Sequence, residues 1–158
     1  MNNKKIRKML PYAIFVLGLL ATLSIFLPAL SYEGETYSGL QIAFGKELVN
    51  IDFLDEDIAS AYLPMNMYAF AAYFSPVFAG LFTLIFKRGN TFALAMFVLA
   101  GVLFFILNDY IEVHYELLGV SESEILDWSN NYGIIVGAFA SILAAIGEMM
   151  HISMTENK

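Results

Sequence analysis

The chain has 158 residues, 59% of them apolar and 15% charged, with a formal net charge of −7 and no cysteine. That length is one domain's worth, and so small a domain has too little interior for such an apolar excess, which makes lipid its expected destination. The acidic balance argues against nucleic acid, since binding phosphates needs clustered Lys and Arg, and the missing cysteines exclude a disulfide framework, a thiolate metal site or a redox dithiol.

Taken in chain order, "NKKIRK" leads into an apolar run from Met9 to Leu30. The run is too long for the core of a signal peptide, and "LPALS" is a poor small-x-small cleavage site, so an uncleaved membrane span over 9–30 is predicted. Residues 31–64 form a first loop. In "ALSYEGETYSGLQIAFG", Leu40, Ile42 and Phe44 alternate with Gln41 and Ala43, and Gly34-Glu35 suits a two-residue turn, which together predict a β-hairpin. After Gly45 the apolar period lengthens. Leu48, Ile51, Leu54, Ile58 and Tyr62 recur every three or four residues, predicting a helix that turns Asp52, Asp55, Glu56 and Asp57 to water.

A second span is expected over 65–86, where Ala71, Ser75, Ala79 and Thr83 recur at every fourth position and Pro76 predicts a kink. The tight link "KRGN" leads to a third span over 91–107. The second loop, 108–131, should begin as a helix carrying Ile111, Tyr115 and Leu118 on one face with Gly119 as its C-cap. A short helix should follow from about Glu122 to Trp128, with Ser121 and Glu124 as a capping box and Val120 and Ile125 as a staple. The fourth span, over 132–152, carries Gly133, Gly137, Ser141 and Ala145 at every fourth position. Small residues so spaced let helix backbones approach closely in lipid, within one chain or between chains.

Orientation follows from the basic residues. Lys4, Lys5, Arg7, Lys8, Lys87, Arg88 and Lys158 fall on one side of a four-span plan and Lys46 alone on the other, which predicts both termini in the cytoplasm. The two loops then face outward with thirteen of the fifteen carboxylates, seven in the first loop and six in the second. Tyr62, Tyr68, Tyr110, Trp128 and Tyr132 are placed as aromatic anchors at the outer boundary, and Tyr12 near the inner one.

Few residues offer chemistry. Asp52, Asp55, Glu56 and Asp57 lack the alternating spacing and the distal Glu of a calcium loop, so they read as a solvated or partner-facing acidic surface. His114 lies between Glu112 and Glu116, but the only other histidine, His151, is across the membrane in this plan, so no metal site is expected. Glu148 is the one acidic residue within a span, placed about a turn from the inner boundary where it could snorkel or pair with Lys87 or Arg88. Thr22, Ser24, Ser75, Thr83 and Ser141 are mild groups that their own helices can satisfy. No nucleophile–base pair, metal cluster, phosphate loop or cofactor motif is present in the sequence.

The layout resembles that of claudin-like four-span proteins: both termini inside, a larger strand-bearing first loop, a smaller second loop and a short inner turn. The first loop has Ser38-Gly39-Leu40 but neither the tryptophan nor the cysteines of the claudin signature, so no claudin functional residue carries over. "YSGLQIAFG", Tyr37 to Gly45, is also similar to a segment of small four-span proteins of low-GC bacteria, with no activity attached to it. The expectation is an all-α membrane bundle of four helices, in one domain over 1–158, bearing a small folded cap of a hairpin and short helices. It is expected to act without catalysis, as an accessory protein whose partners are the bilayer and a membrane protein or a second copy of itself; the alternative is a small transporter or channel subunit.

Overall fold

Helix α1 (Asn3–Leu23) begins in the basic segment and continues through a single 3₁₀ turn, Ser24–Phe26. It stops well short of Leu30 because Pro28 cannot continue a helix and forces Leu27 into extended backbone, φ −86° and ψ 156°. The rest of the apolar run, Ala29 and Leu30, is buried in a strand. The computed structural model describes residues 3–53, 56–117 and 119–156, with the side chains of residues 3–4, 52–53, 56–58 and 156 outside that description.

Three more long helices follow a short one, α2 (Gly39–Phe44): α3 (Met67–Phe86), α4 (Thr91–Ile106) and α5 (Tyr132–Glu156). The spans of α1, α3, α4 and α5 are each long and apolar enough to cross a membrane. α3 and α4 are joined by the expected tight turn, with Lys87 in the left-handed conformation and Asn90 capping α4 through its side chain. α1 and α4 each lie against both α3 and α5, so α3 and α5 face each other only across a diagonal. Backbones come closest where glycines sit. A Cβ on Gly18 would lie 2.4 Å from the Pro76 carbonyl oxygen, and one on Gly80 would lie 3.0 Å from the Phe15 Cα. Tyr73, Phe97, Phe104 and Ile14 fill the space between the helices and are fully buried.

The end of the bundle opposite the basic residues carries a cap, and here the helical expectations fail. β1 (Pro28–Tyr32) and β2 (Glu35–Ser38) form the expected hairpin, but its turn is Glu33-Gly34, both at positive φ (49° and 90°), not Gly34-Glu35. Leu40, Ile42 and Phe44 are not strand residues. Ser38 and Gln41 form a reciprocal capping box, Gln41 N–H donating to Ser38 Oγ and Ser38 N–H to Gln41 Oε1, which starts α2 at Gly39.

The expected helix over 48–62 is instead a hairpin of β3 (Lys46–Phe53) and β4 (Glu56–Leu63). α4 runs on only as a single 3₁₀ turn, Leu107–Tyr110, before β5 (Glu112–Leu117) and β6 (Val120–Ile125) pair antiparallel about Gly119, whose φ is +80°. Among the described residues the expected helices carrying Ile111 and Tyr115 and running from Glu122 to Trp128 are not formed. Ser121 and Glu124 are therefore strand residues, not a cap. Strands from both loops join into one sheet of order β3-β4-β5-β6, while β7 (Ser129–Asn130) adds to the first hairpin as β2-β1-β7. The protein is thus a four-helix bundle with a two-sheet cap, not an all-α chain.

Trp128 pins the first hairpin to the start of β5. Its ring lies 5.7 Å from that of Tyr32 and 5.5 Å from that of Tyr37, and its Nε1–H donates to the Ile111 carbonyl at 3.0 Å. It is buried, which corrects its placement as a boundary anchor; Tyr12, Tyr62, Tyr68, Tyr110 and Tyr132 are exposed.

Candidate interaction surface and a buried carboxylate

In an antiparallel sheet, residues directly opposite each other share a face, and residues two apart along a strand share it too. The register sets Ile51, Ala59, Leu117 and Val120 in one row across β3-β4-β5-β6, and Val49, Ala61, Tyr115 and Glu122 in the next row toward the bundle. Below them on the same face, Leu63 and Val113 are buried in the main core. This face therefore starts in the core and runs out into the open, apolar but for Lys46 at its β3 edge and Glu122 and Glu124 at its β6 edge. At its far row Ile51, Leu117 and Val120 are 53%, 58% and 63% exposed. The opposite face carries Asn50, Ser60, Glu116 and Ser121, then Tyr62, His114 and Ser123.

The same face meets the first hairpin at its lower edge. Burial raises the Tyr115 phenol above its usual range, and the charge of Glu124 adds to the effect. Tyr37 is raised by burial and then by Glu35, while the Lys46 ammonium stands 5.4 Å over its ring. Asp52, Glu56 and Asp57 lie on the β3–β4 hairpin rather than on a helix face. Their side chains, and Asp55 altogether, lie outside the described residues, as does Leu118. The His114 ring lies tilted against that of Tyr62, centroids 5.4 Å apart, with Nε2 3.8 Å from Glu112 Oε2. No group of three or more His, Cys, Asp or Glu residues that could hold a metal is found among the described residues.

A second polar centre lies at the basic end, between α3, α4 and α5. Glu148 is fully buried, neither snorkelling nor paired with Lys87 or Arg88, both of which are exposed. Its Oε2 accepts from the Thr83 hydroxyl at 2.9 Å and its Oε1 from the Asn90 backbone N–H at 2.6 Å. Three helices are tied at one carboxylate. His151, also fully buried, brings Nδ1 to 3.9 Å from Glu148 Oε2, and neither ring nitrogen has a hydrogen-bond partner among the described residues. The sequence marks Glu148 as unusual, but not that the α3–α4 turn would aim a helix N-terminal N–H at it.

Of the small-residue rows, Gly133, Gly137, Ser141 and Ala145 are all buried within this one chain. A Cβ at Gly133 would meet the Pro28 carbonyl oxygen at 2.6 Å, and one at Gly137 would meet Phe104 Cζ at 2.5 Å. Ala79 and Thr83 are fully buried, whereas Ala71 and Ser75 are partly so. Thr22 does not bond within its own helix: its hydroxyl donates to the Tyr73 carbonyl of α3 at 2.7 Å. Ser24 and Ser141 do bond within their own segments.

The chain thus combines four membrane-length helices, drawn together by close backbone contacts at Gly18, Gly80 and Gly133 and tied at the basic end by a buried carboxylate, with a cap at the other end whose larger sheet is amphipathic. No family profile matches the chain, and comparison with curated proteins and with solved structures likewise gives no match.

Proposed function

We propose that the chain is a non-enzymatic, multi-pass protein of the cell membrane, with both termini cytoplasmic and its acidic cap outside, that uses the cap to hold a protein partner in the membrane or envelope. The observation that carries this reading is the open apolar row Ile51, Ala59, Leu117 and Val120 at the outer end of a face whose inner end, Leu63 and Val113, is buried in the core. Exposed apolar area continuous with a core mark interaction sites. The surrounding loops carry thirteen carboxylates against Lys46, so the complementary partner presents apolar side chains within a basic rim. The claudin-like layout belongs to this reading as a plan only. The alternative of a transporter or channel subunit has less support, because large side chains such as Phe97 and Phe104 are fully buried where the helices pack.

Photo-crosslinking residues introduced at Leu117 and Val120 test it in the native membrane, with Glu116 and Ser121 on the other face as controls. Adducts of one defined partner from Leu117 and Val120 but not the controls, lost on Ile51→Asp, are expected. Equal labelling from both faces would overturn the reading. Adducts consisting only of multiples of this chain would replace the partner with a homo-oligomer.

A further inference from the structure

The basic end of the bundle holds a groove of about 790 Å³ between α1 and α3. Arg7 and Lys8 on α1 and Lys87 at the end of α3 stand around it, while Met9, Tyr12 and Leu84 form part of its wall. Among the described residues no carboxylate lines it; the buried Glu148 is turned inward to Thr83 and Asn90. Three cations around an apolar wall favour a ligand with a phosphate at one end and hydrocarbon at the other.

A second groove, about 990 Å³, continues along α1 and shares Met9 and Tyr12 with the first. Lys5 stands at its basic end, and beyond it the lining is apolar, down to Val16 and Leu17. The two together have the plan of a single amphiphile: a cationic seat that opens into a furrow running in the direction an acyl chain takes in a bilayer. Tyr12 is exposed at the junction, with a ring for the chain and a hydroxyl for the headgroup region. A soluble anion would have no use for the furrow, and a zwitterionic lipid would bring its own cation to a site already holding three.

We propose that this α1–α3 groove is a binding site for one anionic phospholipid, its phosphate between Arg7 and Lys87 and one acyl chain along Met9, Ala13 and Val16. The inference rests on the membrane reading above, since it needs the helices to lie in lipid. Lys87 is fixed in place for this role. Its left-handed backbone closes α3, with its N–H bonded to the Thr83 carbonyl, and holds the side-chain base at the groove's rim.

The test is native mass spectrometry of the full chain in mild detergent, titrated with phosphatidylglycerol, with phosphatidylcholine or with inorganic phosphate. One retained phosphatidylglycerol is expected, at collision energies that strip phosphatidylcholine, with inorganic phosphate failing to displace it. Retention should fall at least fivefold in the Arg7→Ala/Lys87→Ala double variant and hold in Arg88→Ala, whose side chain lies outside the groove. The single Lys87→Gln variant keeps the test decisive if the double variant does not fold, and should lose at least twofold. Equal retention of both lipids, or no loss on changing Lys87, overturns the proposal. Carbonate extraction of the same chain separates the two ideas: a chain that stays in the membrane pellet yet retains no lipid refutes the site alone, whereas a chain released by carbonate refutes the membrane reading.

Discussion

Two glycine-to-alanine changes should move stability in opposite directions although the chemistry is the same. A methyl on Gly18 would sit 2.4 Å from the Pro76 carbonyl oxygen, 3.1 Å from its carbonyl carbon and 3.3 Å from Phe97 Cε1. The nearest atom is backbone, in a segment stiffened by proline, so it cannot swing aside. Ordinary contact starts near 3.4 Å, so α1 and α3 must part by about 1 Å, and a gap of that size forfeits roughly a quarter to a half of each contact's attraction. The Thr22 hydroxyl bond to Tyr73 spans the same seam and would lengthen with it. A methyl on Gly101, by contrast, would meet Ile142 Cγ1 at 3.4 Å, an ordinary contact. Both changes gain about 0.8–1 kcal/mol of helix propensity, but only Gly18→Ala carries an overpacking cost of about 1–3 kcal/mol. Thermal or denaturant unfolding in detergent should therefore show Gly101→Ala at or above the parent and Gly18→Ala below it. Equal stability of the two variants would refute the close α1–α3 contact.

The buried carboxylate gives a second comparison. Glu148→Ala leaves the Asn90 N–H without its acceptor, at a cost of about 1–3 kcal/mol, while Glu148→Gln keeps an acceptor there and should cost less; equal losses would contradict the assigned bonds. Trp128→Phe keeps a ring between Tyr32 and Tyr37 but loses the bond to Ile111, and should lower the stability of the cap by about 1 kcal/mol, read by hydrogen exchange of β5 amides. The raised phenols of Tyr37 and Tyr115 imply a pH dependence. Their contribution is fully present below the unfolded tyrosine value near 10 and is lost as pH rises through the higher folded values. Cap stability should fall above pH 10, and the fall should be shallower in the Tyr37→Phe/Tyr115→Phe variant.

The four long helices are legible in the sequence because continuous apolar length is a strong, one-dimensional signal. The end of α1 is less so, because burial under the cap and burial in lipid select the same residues: Ala29 and Leu30 are apolar for the first reason. The cap misled more. Ile111, Val113, Tyr115 and Leu117 alternate with Glu112, His114 and Glu116, a period-two pattern that reads as β5, yet Ile111, Tyr115 and Leu118 also satisfy a helical spacing. Pairing decides between them, and β5 gains its partner β4 only from the other loop, which no local period can reveal. The two capping-box motifs, Ser38-x-x-Gln41 and Ser121-x-x-Glu124, are alike in sequence. Only the first forms, because the second lies in a strand held by its ladder to β5. Glu148 stands out in the sequence, but its partners come from α3 and from the backbone of the α3–α4 turn, a junction set by tertiary packing.

The central claim, that the four helices cross a membrane and put the sheet and the basic turn on opposite sides, is open to one direct measurement. The chain has no cysteine, so each introduced thiol reports alone. Gly34 and Ser123 are exposed in the cap, and Arg88 is exposed in the turn between α3 and α4. With an impermeant thiol reagent on intact cells, Gly34→Cys and Ser123→Cys should label and Arg88→Cys should label only after the membrane is opened. Labelling of Arg88→Cys alone would invert the topology, and labelling of all three on intact cells would contradict it outright.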